Sequence, residues 1–220
     1  MPVRWKGMAV KMRLGSLLSK VRLQVSPPRD DSGRGIPVPE LLAQMDAYDW
    51  ASVDNIAVSD EERTKRVKHF SELISESGME LGGSILDLAS GATSLASSYP
   101  DVVAVDNDPQ KIKLLRKDGV KAILADIESL PFEDKSFDYV VSVSPPLKPV
   151  VFHNDGYVSF GVDHEWNNKL IDAALRIARK EVLIASYFVA LHPPHEELVE
   201  KRDKNGFQWV LYKASDSSET

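Results

Sequence analysis

From residue 84 onward, short continuous apolar runs alternate along the chain with stretches of helical period. The runs are Ile85-Leu86, Val102-Val103-Ala104-Val105, Ala122-Ile123-Leu124, Tyr139-Val140-Val141 and Val182-Leu183-Ile184-Ala185. Runs apolar at every position belong to strands covered on both faces, the situation of a parallel sheet. Between them, helices are predicted over about 93–98, 109–117, 164–179 and 194–203, with a last strand at about 207–213. The fold class expected is therefore α/β, a doubly wound, mostly parallel sheet of about six to seven strands with helices on both faces.

Upstream, Pro39 opens a short predicted helix through Tyr48. Ser59 with Glu62 then forms a capping box ahead of Val67, Phe70, Leu73 and Ile74, so a helix is expected over about 60–77, stopped by Gly78. The segment Ser26 to Gly35 consists of turn formers and charges and reads as a linker. Three regions follow: a basic extension and linker over 1–35, one domain over 36–214, and a polar tail over 215–220.

Composition narrows the function classes. With no cysteine among 220 residues, disulfides, thiolate metal sites and cysteine nucleophiles are excluded. No apolar stretch approaches the roughly 20 residues of a membrane span, so a soluble, cytoplasmic protein with no membrane partner is expected. The 27 Lys and Arg against 33 Asp and Glu give a net charge of −6, unevenly spread. Residues 1–29 carry seven bases and no acid, leaving 20 bases against 33 acids, a net −13, on the rest. Such an arm can contact nucleic-acid phosphates, serve as an organelle-targeting segment, or be an ordinary solvated extension.

The candidate chemistry lies at the carboxyl ends of the predicted strands, where open parallel sheets bind ligands. Asp87, Asp106 and Asp126 end the first three strands at intervals of 19 and 20 residues, about one strand, turn and helix each. Singly, each could be a helix cap or turn residue. Together, and with a glycine-bearing first turn, they form a row along one rim.

The sequences Ile85-Leu86-Asp87-Leu88-Ala89-Ser90-Gly91-Ala92-Thr93, Val103-Ala104-Val105-Asp106-Asn107-Asp108-Pro109 and Ala125-Asp126-Ile127 resemble, in order, three motifs of the class I S-adenosylmethionine-dependent methyltransferases, whose domain is Rossmann-like. Leu130 to Val141 is similar to the same family's approach to its fourth strand, and the resemblance covers about 84 to 190. It implies S-adenosyl-L-methionine as cofactor and binding residues Asp87, Ala89, Gly91, Asp106, Asn107, Asp126 and Ile127. Gly91 would let the first loop approach the ligand, and the following helix N-terminus, with Thr93 as its cap, would favour the cofactor's carboxylate. Asp106 would accept from the ribose hydroxyls, Asp126 from the adenine amino group with Ile127 beside the ring, and Asp87 would orient the loop or the cofactor's ammonium. The chain departs from the family in carrying one glycine in the first motif. A nicotinamide dehydrogenase lacks support, since no Gly-x-Gly-x-x-Gly is present.

After the fourth strand, Ser144-Pro145-Pro146 resembles the polar-Pro-Pro motif of methyltransferases acting on nitrogen, which implies that these three residues hold the methyl acceptor. Leu147 replaces the aromatic of that motif; Phe152, Tyr157, Phe160 or Trp166 could stack on a flat target instead. The segment 147–163 is expected as a long functional loop, with His153, Asn154, Asp155 and His164 as further polar candidates. His192 and His195 lack a clear third ligand, so no metal is expected. The expected function is S-adenosylmethionine-dependent methyl transfer, to a nitrogen that could lie in nucleic acid. The alternatives are a small-molecule methyltransferase and a noncatalytic cofactor-binding or nucleic-acid-binding accessory protein.

Overall fold

A computed structural model describes residues 35–95, 98–99, 101–143, 145, 149–154, 157–162, 164–186, 197–202 and 208–214. The basic arm, Ser144, Pro146, Asp155, His192, His195 and the tail therefore lie outside the described residues, as do the side chains of 149–164. Helix α1 (Val38–Asp46) is followed by α2 (Asp60–Ser77), in which the Ser59 hydroxyl accepts from the Glu62 amide. The capping box is half formed, because the Glu62 carboxylate turns to Arg66 at 2.7 Å. Gly78 ends α2 with φ of 75°, the left-handed conformation that glycine adopts without penalty.

Then come β1 (Ile85–Leu88), β2 (Val102–Asp106), α3 (Pro109–Lys117), β3 (Lys121–Leu124), β4 (Phe137–Val143), β5 (Pro149–Asn154), β6 (Tyr157–Val162), α4 (His164–Ile177), β7 (Ala178–Ser186), β8 (Glu197–Arg202) and β9 (Gln208–Lys213). The main sheet has seven strands in the order β3-β2-β1-β4-β7-β9-β8. Pairs from β3 through β7 are parallel, whereas β9 runs antiparallel to both β7 and β8. The expected six to seven strands, mostly parallel, are thus present. Chain direction across the sheet reverses between β1 and β4, and that switch opens the crevice where such sheets take ligands.

Alternation along the strands divides the core in two. Leu86, Leu88, Val140, Val182, Ile184, Val210 and Tyr212 join Leu41 of α1 and Trp166, Leu170 and Ile171 of α4. Ile85, Tyr139, Val141, Leu183, Ala185, Trp209 and Leu211 join Phe70, Leu73 and Ile74 of α2. Helices accordingly cover both faces.

Three predicted elements differ. Of the helix expected at 93–98, the described residues show a 3-10 turn opening at Leu95, whose carbonyl accepts from the Ser98 and Tyr99 amides at 2.8 and 3.1 Å and whose amide donates to the Asp87 carboxylate at 3.0 Å. Thr93 is therefore not a helix cap. The helix expected at 194–203 is strand β8, paired to β9 from Glu197↔Tyr212 to Arg202↔Gln208. Its charges suit an outer strand, where they discourage pairing with further chains. The loop expected over 147–163 holds a separate hairpin, β5 with β6, in register from Pro149↔Val162 to Asn154↔Tyr157.

Candidate functional site

Strand β1 ends in a tight turn that brings two carboxylates onto one loop. Ala89 takes φ of 57° and Gly91 φ of 66°. The Ser90 amide donates to the Val105 carbonyl at 2.9 Å, and the Gly91 amide donates to Asp106 Oδ2 at 2.9 Å. Asp106 Oδ1 accepts from the Asp108 amide at 2.9 Å and from Lys111 Nζ at 3.4 Å. The acid at the head of β2 thus holds the loop at the head of β1, and both are buried.

Asp87 faces the same loop from below. Burial is the main force on its carboxyl and pushes its pKa up to about 7; the hydrogen bonds from Leu95 and Ser94 work the other way, and the neighbouring Asp106 charge adds to the rise. Asp126 lies in the open: its Oδ1 caps a short turn, Ile127–Ser129, by accepting from the Glu128 amide at 3.0 Å, with Ile127 half-buried after it. Asn107 is exposed. Of the residues expected for the cofactor, Asp87, Ala89, Gly91 and Asp106 come together in one hydrogen-bonded unit. Asp126 and Ile127 stand at the head of the next strand but one from β1. For the acceptor side, Pro145 is buried just beyond β4, and the Ser142 hydroxyl donates to the Leu88 carbonyl at 2.8 Å, tying β4 to the same turn.

Sequence reasoning passed over three features. The buried hydroxyls of Ser90 and Thr93 have no partner, although an orphaned buried polar group costs about 1–3 kcal/mol. Arg66 of α2 reaches the loop, its Nη1 3.9 Å from where a Cβ on Gly91 would sit. Asn167, buried in α4, has neither amide atom paired. Hydroxyls and a guanidinium converging on a glycine turn fit the amino-acid end of a cofactor, whose carboxylate accepts and whose ammonium donates. Among the described residues no group of three or more acids and histidines is placed to hold a metal. No helix among them is long and apolar enough to cross a membrane.

An open α/β sheet with carboxylates heading successive strands around a glycine turn defines a Rossmann-like domain. The comparisons with known proteins then narrow the class. Residues 86–153 match the family model of the methyltransferase domain. Among solved structures, the PH0226 protein of Pyrococcus horikoshii is similar with a TM-score of 0.54 and 17% identity over 70% of this chain and 92% of its own. Magnesium protoporphyrin IX methyltransferase from Synechocystis, solved with SAM bound, matches at a TM-score of 0.48 and 12% identity over 74% of this chain and 87% of its own. No curated protein matches in sequence. Residues 86–153 thus match a methyltransferase domain, and the fold around them is shared with the Pyrococcus protein.

Proposed function

We infer that this methyltransferase transfers its methyl group to a nitrogen, with nucleic acid a candidate carrier of that nitrogen. When bound, S-adenosylmethionine supplies an electrophilic methyl group on a sulfonium centre. Asp106, oriented by two backbone amides, accepts from a ribose hydroxyl, since a carboxylate has about four acceptor positions and three are in use here. Lys111 steadies that carboxylate. The Ser90 and Thr93 hydroxyls and Arg66 receive the amino-acid carboxylate, while Asp87 attracts the ammonium. Asp126 and Ile127 flank the adenine.

On the acceptor side, Ser144, Pro145 and Pro146 follow β4 in sequence, and their likeness to a nitrogen-acting motif supports the choice of atom. The Ser144 hydroxyl would accept from the target nitrogen and aim its lone pair, while the prolines fix φ around it. The net +7 arm supports a phosphate-bearing carrier. Transfer to a small molecule is the second reading.

The observation that carries the cofactor assignments is the junction of Asp87, Gly91 and Asp106 beside two unpartnered buried hydroxyls. Calorimetry of S-adenosylmethionine binding tests it: Asp106→Ala is expected to weaken binding by about 1–3 kcal/mol. Equal affinity in the two proteins would remove Asp106 from the site. Transfer of a labelled methyl group to tRNA, rRNA, DNA and small amines then identifies the acceptor class, and labelling confined to oxygen or carbon would overturn the choice of nitrogen.

A further inference from the structure

Counting acceptors at Asp106 leaves one hydroxyl of a bound ribose to be held by another group. The Gly91 and Asp108 amides, each at 2.9 Å, and Lys111 Nζ at 3.4 Å take three of the roughly four acceptor positions on the carboxylate. The two amides belong to the backbone and stay, so one position remains for the sugar. The ribose of a nucleoside presents two hydroxyls, on adjacent carbons and on the same side of the ring, and each can donate once and accept twice. One of the pair donates to Asp106, and its neighbour needs a different partner.

Lys111 is the donor at hand. Its side chain is 34% exposed against 6% for Asp106, so the pair joins a buried carboxylate to a side chain that a ligand can reach from solvent. Its contacts are loose, 3.4 Å to Asp106 Oδ1 and 3.9 Å to Asp108 Oδ2, and the second is too long for a hydrogen bond. Of the three ammonium donors, one is therefore engaged. Lys111 also stands in the first turn of α3, which carries no acid, where the positive end of the helix dipole disfavours a cation. Helix stability alone favours an acid at this position.

We propose that Lys111 reads the ribose of the cofactor, its ammonium donating to the hydroxyl that Asp106 does not take, so that carboxylate and ammonium hold the two hydroxyls as a pair. The site then selects a full ribonucleoside, and a sugar lacking either hydroxyl is rejected through a different residue of the pair. Lys113, two positions on, is engaged elsewhere, its Nζ donating to the Val53 carbonyl, and supplies a lysine of the same helix without that role. This assignment rests on the reading that the site takes S-adenosylmethionine.

The test is a thermodynamic cycle between ligand and protein. Binding of S-adenosylhomocysteine, and of its 2′-deoxy and 3′-deoxy analogues, is measured by calorimetry on the wild type, Lys111→Met and Lys113→Met. The wild type should bind each deoxy analogue about 10- to 150-fold more weakly, the worth of a hydrogen bond to a charged group. In Lys111→Met the penalty for one analogue should vanish while the other stays, and S-adenosylhomocysteine itself should bind more weakly by a similar factor. Lys113→Met, which removes the same charge, should keep both penalties. Should Lys111→Met fold poorly, Lys111→Ala carries the same expectation. Both penalties persisting in the Lys111 variants, or none in the wild type, overturns the proposal. So does loss of both together, which would make Lys111 only a prop for Asp106, and so does tighter binding of S-adenosylhomocysteine, which would make it a competitor of the ribose. Failure of the wild type to bind any of the ligands overturns the cofactor reading beneath it as well.

Discussion

Ala89 occupies a conformation that costs a residue with a Cβ roughly 1–2 kcal/mol. Glycine would remove that strain but add about 0.5–1 kcal/mol of chain entropy on folding. Ala89→Gly is therefore expected to stabilise the protein by up to about 1 kcal/mol and to raise Tm by up to about 3 °C. A lower Tm would show that the methyl group packs more than it strains. Asp87 makes a second residue-scale prediction. Its pKa rises to about 7 in the fold, against about 3.9 for a free side chain, so between those values the native state binds more protons than the unfolded chain. The stability this group contributes is complete below about pH 4 and is lost as pH rises through 7. In Asp87→Asn that loss disappears, so its stability relative to wild type should grow from pH 5 to pH 8 in urea titrations. A constant difference across that range would contradict the burial of the charge. These properties are only partly legible in the chain. The spacing of Asp87, Asp106 and Asp126 pointed to the rim, whereas which carboxylate is buried and which hydroxyl lacks a partner depend on neighbours distant in sequence.

Among the elements, the connection from β3 to β4 is held by a side chain from elsewhere. Arg176, near the end of α4, donates to the carbonyls of Phe132 at 2.9 Å and Leu130 at 3.3 Å and to Asp134 at 2.6 Å, while its own carbonyl accepts from the Lys135 amide. Hydrogen bonds from a charged group are worth more than neutral ones, so Arg176→Ala should destabilise by about 2–4 kcal/mol. At this size the Tm should fall by roughly 4–16 °C, and an unchanged Tm would show the connection to be held without it. The helices with strong local signals, α2 with its Ser59 cap and α3 opening at Pro109 behind the Asp108 cap, stand where the pattern places them. Strand β8 does not, since Glu197 to Arg202 are good helix formers and only pairing with β9 makes them extended. The β5–β6 hairpin had a readable signal, Asp155-Gly156 between two apolar runs, and the long-loop expectation passed over it.

For the molecule as a whole, charge is the property that sequence states most directly. Deleting residues 1–29 takes away seven positive charges. If the arm contacts phosphates, RNA or DNA binding should weaken and its dependence on salt flatten. S-adenosylmethionine affinity should be unchanged, because the site residues all lie beyond residue 60. Filter binding across a salt series checks the first expectation and calorimetry the second; an unchanged salt slope would make the arm a tether or targeting segment.

The local pattern by itself determined the α/β class, six of the seven main-sheet strands, the main helices and the rim on which the acids stand. It could do so because apolar periodicity and capping act within a few residues. Tertiary structure decided that Gly91 is held by Asp106, that the Leu95 amide is held by Asp87, and that β8 is a strand. It also decided that Arg66, which carries no motif, comes toward the Gly91 turn from α2. Those outcomes depend on hydrogen bonds and burial between segments far apart in the chain, which no local periodicity encodes.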